Sequence, residues 1–400
     1  MMQIFEIAVL IASLAVFMLA GFLFLEIIGA MAPRRRSAAG DYKPGPIAVV
    51  IPAHNEAASI KATLSSVLSQ ARKIDRVIVV ADNCHDNTAE LAAQSGAQCW
   101  ERVDEHHRGK GYALQFALDK LKDAPPQTAV FIDADCTLAD GALNKLATAS
   151  EHEDRPVQAL YLMQAPEEAS PRLRVAAFAW AFLNHARMRG LDRLFGVSRI
   201  TGAGIALPWR IASSLNVGSG EIVEDLALTL TLTEQKAPPL LLLDALVTSE
   251  FPMADEALAK QRARWEHGSQ NLAVRRAAPC FVKGVLSGNL RLSAIAMDLM
   301  IPPIVNLFVF ILAVFVLSIA ALFAGAVAPF GFSLGALVLF SASVIAGWFM
   351  VGRQAAPLSS LAGLLPFLAA KGRIYGADGR TSAKQWTPTR SGGVDGSAGE

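Results

Sequence analysis

From Leu299 to Gly352 the chain runs 54 residues without an Asp, Glu, Lys or Arg. A soluble domain averages about one charged residue in four, so this stretch cannot be the surface of an ordinary globular unit. A helix rises about 1.5 Å per residue and crosses the hydrocarbon core of a bilayer in about 20 residues. One helix over the whole stretch is too long, whereas two fit. Ala328-Pro329-Phe330-Gly331 reads as the turn between them. Pro302-Pro303 marks the start or a kink of the first, and Asn306 is the only amide side chain in the run.

A second uncharged run, the 19 residues Ile7–Leu25, has the length of one span. No positive segment precedes it and Arg34-Arg35-Arg36 follow, the reverse of a cleaved signal peptide. Residues 1–33 are therefore expected to form a retained transmembrane helix, with Glu26 reaching the interface at its inner end. Gln354–Ala370 is also uncharged, but Pro357 and Pro366 interrupt it, so 353–375 reads as an interfacial or re-entrant helix. Lys and Arg set the orientation. Lys43 and the arginine triplet follow the first span, and Arg262, Arg264, Arg275, Arg276, Lys283 and Arg291 precede the second. Residues 34–298 are thus placed in the cytoplasm. Two further spans within 285–352 return the chain to the side of Lys371, Arg373, Arg380, Lys384 and Arg390. The tail 376–400, rich in Gly, Ser and Thr, reads as mobile. The expectation is a multi-pass protein of the inner, cytoplasmic membrane.

Two function classes drop out on composition. Thirty-six Lys and Arg against 35 Asp and Glu leave a net charge of +1, so no basic surface for nucleic acid is implied. Cysteines 84, 99, 136 and 280 form no CxxC, which excludes a disulfide scaffold or zinc ribbon and suits a reducing compartment.

Between the apolar runs, residues 45–280 alternate short strands with helical patterns. Strands are expected at Ile47–Pro52, Arg76–Ala81, Cys99–Val103 and Ala129–Ile132, with helices over 57–70, 86–95 and 110–122. That β-α-β-α order predicts an α/β fold with a parallel, doubly wound sheet. Ligands of such sheets bind beyond the carboxyl ends of the strands. Three of those ends carry acids: Pro52-Ala53-His54-Asn55-Glu56, Asp82-Asn83-Cys84-His85-Asp86 and Asp133-Ala134-Asp135. No GxGxxG or GxxxxGK[ST] follows the first strand, which argues against a dinucleotide fold and a P-loop ATPase.

Each motif has a functional and a bland reading. Asp133 and Asp135 either hold a hard divalent cation through oxygen or are solvated acids of a turn. Lys110, between Gly109 and Gly111 at a helix start, either meets a diphosphate or belongs to a plain loop-to-helix junction. Asp82, Asn83 and Asp86 either accept hydrogen bonds from a nucleotide or cap the next helix. Glu224-Asp225 supplies a general base or merely opens a helix. Gln261, Arg264 and Trp265, at i, i+3 and i+4, share one helix face. Trp265 offers a flat platform for a sugar and Arg264 a planar donor fork; alternatively the helix lies at the membrane surface. His106 and His107 either line the site or face solvent, and without an HExxH they do not make a zinc hydrolase. Cys84 and Cys136 read as small filling residues.

VVIPAHNE (49–56), ADNCHDNT (81–88), RGKG (108–111), DADC (133–136), TGAG (201–204), EDLAL (224–228) and QRARW (261–265) follow one another in order. As a set they resemble the membrane-bound family 2 glycosyltransferases of GT-A fold, over about residues 45–270, in the bacterial polysaccharide-synthase-like branch. The tail Gln385-Trp386-Thr387-Pro388-Thr389-Arg390 resembles that of some poly-N-acetylglucosamine-type enzymes. The resemblance implies that Pro52, Ala53 and Glu56 border the nucleotide and that Asp82 reads a uracil-type base. Lys110 and Asp133 lie by the donor diphosphate, and Asp133 and Asp135 hold Mg2+ or Mn2+, Asp135 directly. Asp225 is the base on the acceptor hydroxyl, with Glu224, Gln261, Arg264 and Trp265 at the acceptor and diphosphate, while Thr201–Gly204 takes the place of the acceptor loop. The FCGT wording of cellulose synthases is missing there. The implied activity is inverting transfer of a hexosyl or N-acetylhexosaminyl group from a UDP-linked donor to a lipid-linked or saccharide acceptor. It would act at the cytoplasmic membrane face in cell-surface or exopolysaccharide biosynthesis, beside membrane lipid and other polysaccharide-assembly proteins. A processive synthase that extrudes its polymer, and a non-catalytic nucleotide-sugar-binding scaffold, are the alternatives.

Overall fold

The computed structural model describes residues 2–33, 42–218, 224–252, 255–364 and 366–368. After the apolar helix α1 (Met2–Met31) come β1 (Ile47–Ala53), α2 (Ile60–Leu68), β2 (Arg76–Asp82), α3 (Thr88–Gln94), β3 (Gln98–Arg102), α4 (Lys110–Leu121) and β4 (Thr128–Phe131). This is the expected alternation. Strand β1 is apolar throughout because both its faces are covered. Ile47, Val49 and Ile51 pack in one core with Ile60 and Leu64 of α2, while Ala48 and Val50 pack in the other with Leu114 and Leu118 of α4.

The second half departs from the parallel expectation. It contains β5 (Thr137–Leu138), α5 (Ala142–Glu153), β6 (Val157–Gln164), α6 (Pro171–Ala181), α7 (Met188–Phe195), β7 (Ile205–Pro208), α8 (Trp209–Ala212), α9 (Glu224–Glu234) and β8 (Leu240–Glu250). The strand order is β3-β2-β1-β4-β7-β6-β8-β5. Pairs β1–β2, β1–β4 and β2–β3 are parallel, but β7 runs antiparallel to both β4 and β6. The sheet is therefore mixed, and the doubly wound parallel part ends at β4. One turn of π-helix, Phe182–Arg187, joins α6 to α7.

Helices α10 (Asp255–Leu272), α11 (Ala278–Leu286) and α12 (Leu290–Met300) lead to α13 (Ile304–Phe323) and α14 (Val327–Gly347). Among the described residues three helices are long and apolar enough to cross a membrane: Gln3–Met31, Ile304–Phe323 and Val327–Gly352. Pro303 caps α13, as expected of the Pro-Pro pair. The turn between α13 and α14 is not Ala328–Gly331, as the sequence suggested, but Ala324-Gly325-Ala326, with Gly325 at φ 94°. Pro329 sits instead in the first turn of α14, where a missing N–H breaks no helical bond. Ser318 and Ser333 hydrogen-bond across the pair at 2.6 Å.

The expectation that Glu26 reaches the interface is overturned. Its side chain is fully buried and accepts a 2.7 Å bond from Arg187 Nε. Beyond α14, Leu358–Gly363 makes a tight helical turn against the Pro171–Arg172 backbone of α6, and Phe367 is buried. The tail 376–400 lies outside the described residues.

Candidate functional site

Adjacent parallel strands bring their carboxyl ends to one rim, and two groups of residues collect there. The first joins the ends of β1 and β2. Pro52 and Ala53 lie in β1, in register with Val80 and Ala81. Two asparagines just past the strands, Asn55 and Asn83, take left-handed conformations with φ 55° and 51°. Non-glycine residues rarely do so, and asparagine does so most readily. Both are held by their own side chains: Asn55 Oδ1 accepts from His85 N at 2.8 Å, and Asn83 Oδ1 from Asp104 N at 2.8 Å. His54 Nδ1 lies 2.7 Å from the Asp82 carbonyl oxygen. Glu56 N donates to Thr88 Oγ1, and Glu56 Oε2 accepts from Ser59.

Asp82 is buried and accepts from Arg102 Nη1 at 2.6 Å; the same guanidinium also donates to Asp104 at 3.0 Å. Sequence reading missed Arg102. The usable signal was a basic residue ending β3 exactly opposite the acid ending β2, a register visible only once the strands pair. Asp86 accepts the Thr88 amide at 3.0 Å and the Ala57 amide at 3.1 Å, while the residue at the N-cap of α3 is Asn87. His106 and His107 are exposed. The His107 amide, its ring and the His106 amide pull Asp104 down to about 2. Burial pushes the Cys84 thiol up to about 11, which leaves it protonated and inert as a nucleophile.

The second group gathers around Gly202. Lys110 opens α4 directly after Gly109, whose φ of 125° suits glycine. Its ammonium pairs with Asp133 and donates to the Gly202 carbonyl at 2.9 Å. Gly202 has φ 87°, and a β-carbon placed there would lie 3.5 Å from Lys110 Nζ, 3.7 Å from Asp133 Oδ2 and 3.8 Å from Asp225 Oδ2. One cation and two carboxylates, from α4, the end of β4 and the start of α9, thus converge on one backbone point. Asp225 Oδ1 accepts from Leu226 N at 2.8 Å. The carboxyl keeps some contact with solvent, but close packing of protein around it raises its pKa, against the opposing pull of Lys110. The side chain of Glu224 lies outside the described residues.

Ligand atoms of Asp133, Asp135 and Cys136 all lie within 4.8 Å of one another. Cys136 is buried, which pushes its thiol far up, whereas Asp133 and Asp135 are only partly buried. The two carboxylates are hard oxygen donors of the kind that suits a divalent cation.

Gln261, Arg264 and Trp265 share a face of α10, as their spacing requires. Trp265 is partly buried, and its ring packs at 5.3 Å on Trp180, whose Nε1 donates to the Tyr161 carbonyl at 3.2 Å. Gln261 Oε1 is buried without a hydrogen-bond partner among the described residues. Arg262, rather than a member of the motif face, stacks 4.6 Å over Phe367, and burial lowers it to about 10.

Residues 44–268 match the family model described as glycosyltransferase like family 2. No curated protein matches the sequence. Among solved structures, the mannosyltransferase PcManGT from Pyrobaculum calidifontis, in complex with GDP-Man and Mn2+, superposes over 96% of this chain and 95% of its own. The TM-score is 0.50 at 17% identity. Glucosyl-3-phosphoglycerate synthase from Mycobacterium tuberculosis, with Mn2+, UDP and phosphoglyceric acid, covers 60% of this chain and 83% of its own, with TM-score 0.39 and 22% identity. The first likeness bears on the fold alone, and the second is too distant to carry an argument.

Proposed function

This chain belongs to glycosyltransferase-like family 2, and from that premise we propose that it performs inverting sugar transfer from a nucleoside-diphosphate donor, UDP-linked, to a lipid-linked or saccharide acceptor. The transfer takes place at the cytoplasmic face of the inner membrane, in assembly of a cell-surface polysaccharide. The family makes it a glycosyltransferase that uses a nucleotide sugar; the donor base, stereochemistry, acceptor and pathway are our reading. The observation that carries it is the meeting of Lys110, Asp133 and Asp225 around Gly202.

In this reading the nucleoside lies against the β1 and β2 ends, with Asp82 fixed by Arg102 to face the base. Lys110 stabilises the negative charge that grows on the departing diphosphate. Asp133 and Asp135 would hold Mg2+ or Mn2+, as their oxygen donor set favours. When bound, such an ion adds to the neutralisation of that charge. Asp225 takes the proton of the acceptor hydroxyl as its oxygen attacks the anomeric carbon. Burial raises the pKa of Asp225, which makes it a stronger base than an ordinary aspartate. A single displacement from the opposite face inverts the anomeric carbon. Glu224, Gln261, Arg264 and Trp265 are assigned to the acceptor and diphosphate side.

The test is product analysis. Purified protein in lipid is given a panel of UDP- and GDP-sugars with MnCl2, together with lipid-linked and free saccharide acceptors. One or a few sugars added to a lipid-linked acceptor from a UDP donor, with the anomeric centre inverted, supports the proposal. Retention at the anomeric carbon, or release of free sugar only, overturns it. A high-molecular-weight product at limiting acceptor would select the processive synthase instead.

A further inference from the structure

Four buried charged side chains lie apart from the site, where α1, the π-helical turn and α12 meet. Arg187 Nε donates to Glu26 at 2.7 Å, and Arg187 Nη2 donates to Asp298 Oδ1 at 2.7 Å. Arg199 Nε donates to the other carboxylate oxygen of Asp298, and Arg199 Nη2 to the Asp298 carbonyl at 2.9 Å. Two acids and two guanidiniums meet here, and Glu26 Oε1 has no hydrogen-bond partner among the described residues. The packing is close: any side chain at Gly190 would overlap the Glu26 carbonyl. Buried ion pairs commonly add less stability than apolar side chains of the same volume. What such a cluster does supply is direction, because each guanidinium fork fits one arrangement of acceptors.

Arg199 begins the segment that ends at the site. Ile200 N donates to Thr229 Oγ1 at 2.9 Å, and that hydroxyl donates to the Asp225 carbonyl at 2.9 Å. Thr201 N donates to Gln158 Oε1 at 3.0 Å, and the next carbonyl, that of Gly202, receives Lys110. The segment is thus held from the membrane side by Asp298 and from the site by Lys110.

We propose that Arg199 and Asp298 are positioning residues for transfer. Their buried contact, braced by Arg187 and by Glu26 of the first membrane helix, fixes the segment whose Gly202 carbonyl aims Lys110 at the donor diphosphate. The inference rests on the reading of Lys110 given above. It makes the seating of α1 and α12 part of the geometry of the site.

The experiment uses the full chain in lipid nanodiscs. The double variant Asp298→Asn/Arg199→Gln removes one charge of each sign and leaves Glu26–Arg187 as a balanced pair. Binding of UDP and GDP, and of UMP and GMP, is measured by calorimetry with MnCl2, alongside kcat. Loss of an aimed charged hydrogen bond should weaken diphosphate binding about tenfold and lower kcat at least about tenfold, with monophosphate affinity held within about twofold. Equal weakening of both nucleotide classes, or of neither, overturns the proposal. Should the double variant fail to fold, Arg199→Lys keeps the charge but loses the fork. It should show the same selective loss at about threefold, and an unselective effect again overturns the proposal. Wild-type protein that binds neither diphosphate would overturn the functional reading itself, and is recognised by the wild-type measurement alone.

Discussion

Gly202 and Gly204 lie two residues apart, both at positive φ, 87° and 75°, yet alanine should harm transfer at the first and stability at the second. At Gly204 a methyl would stand 2.7 Å from Ala159 Cβ and 2.8 Å from Val247 Cγ2, well inside van der Waals contact. Overpacking of that kind costs about 1–3 kcal/mol, and the left-handed backbone adds about 1–2 kcal/mol, so Gly204→Ala should lose about 2–5 kcal/mol. At Gly202 the nearest atoms are 3.5–3.8 Å away, an ordinary contact distance. Only the backbone cost of about 1–2 kcal/mol remains there. That methyl, however, stands among Lys110, Asp133 and Asp225. Misplacing reacting groups by about 1 Å costs on the order of 10²-fold, so transfer by Gly202→Ala should fall about 10- to 10²-fold. The assay pairs tryptophan-fluorescence melting in detergent with initial rates of sugar transfer. Gly202→Ala should melt about 2–8 °C below wild type, since each kcal/mol moves Tm by roughly 2–4 °C in a domain of this size. Gly204→Ala should melt clearly lower. Wild-type transfer by Gly202→Ala, or equal melting of the two variants, would refute the placement of Gly202 at the reaction centre.

Three further outcomes are expected. Asp225→Asn should lose at least about 10²-fold in transfer while binding donor normally. Because burial raises its pKa, Asp225 favours the protonated native state, a contribution lost as pH rises through the folded value. Asp225→Asn should therefore melt no lower than wild type at neutral pH, and the acid limb of the wild-type rate profile should sit above the ordinary aspartate range and vanish in the variant. Asp135→Ala should weaken Mn2+-dependent nucleoside-diphosphate binding, measured by calorimetry, with little change when Mn2+ is withheld; equal loss in both conditions would remove Asp135 from the metal. Single cysteines near 40 and 395, on a background without native cysteines, should resist an impermeant thiol reagent in intact cells. External labelling at 395 would mean that Gln354–Ala370 crosses the membrane.

What could be read in advance was whatever local pattern dictates. Three apolar strands and one mixed strand, separated by helical periodicity, announced the first half of the sheet, and Gly109-Lys110 announced the start of α4. The spacing of Asp133 and Asp135 was enough to place two carboxylates together. Strand β7 gave no such notice: Ile205–Pro208 is four residues long, and its antiparallel direction is set by pairing with β4. Proline was misread at position 329 because the same residue that ends one helix is well suited to open another. Arg102 and Arg187 escaped notice for a common reason. Each matters through a partner 20 or 161 residues away, and no periodicity encodes a contact across that distance.

The position of Glu26 has a consequence for biosynthesis. It leaves the ribosome 161 residues ahead of Arg187, and Asp298 follows 111 residues later still. At about 5–20 residues per second, tens of seconds pass before the whole cluster exists. Throughout that interval α1 carries a carboxylate that hydrocarbon accommodates poorly without a partner. The helix therefore gains its Arg187 contact only once the following domain has folded far enough to present that residue. The first apolar helix to be made is thus finally fixed by residues made much later, so a change in the domain that follows can alter how that helix is held.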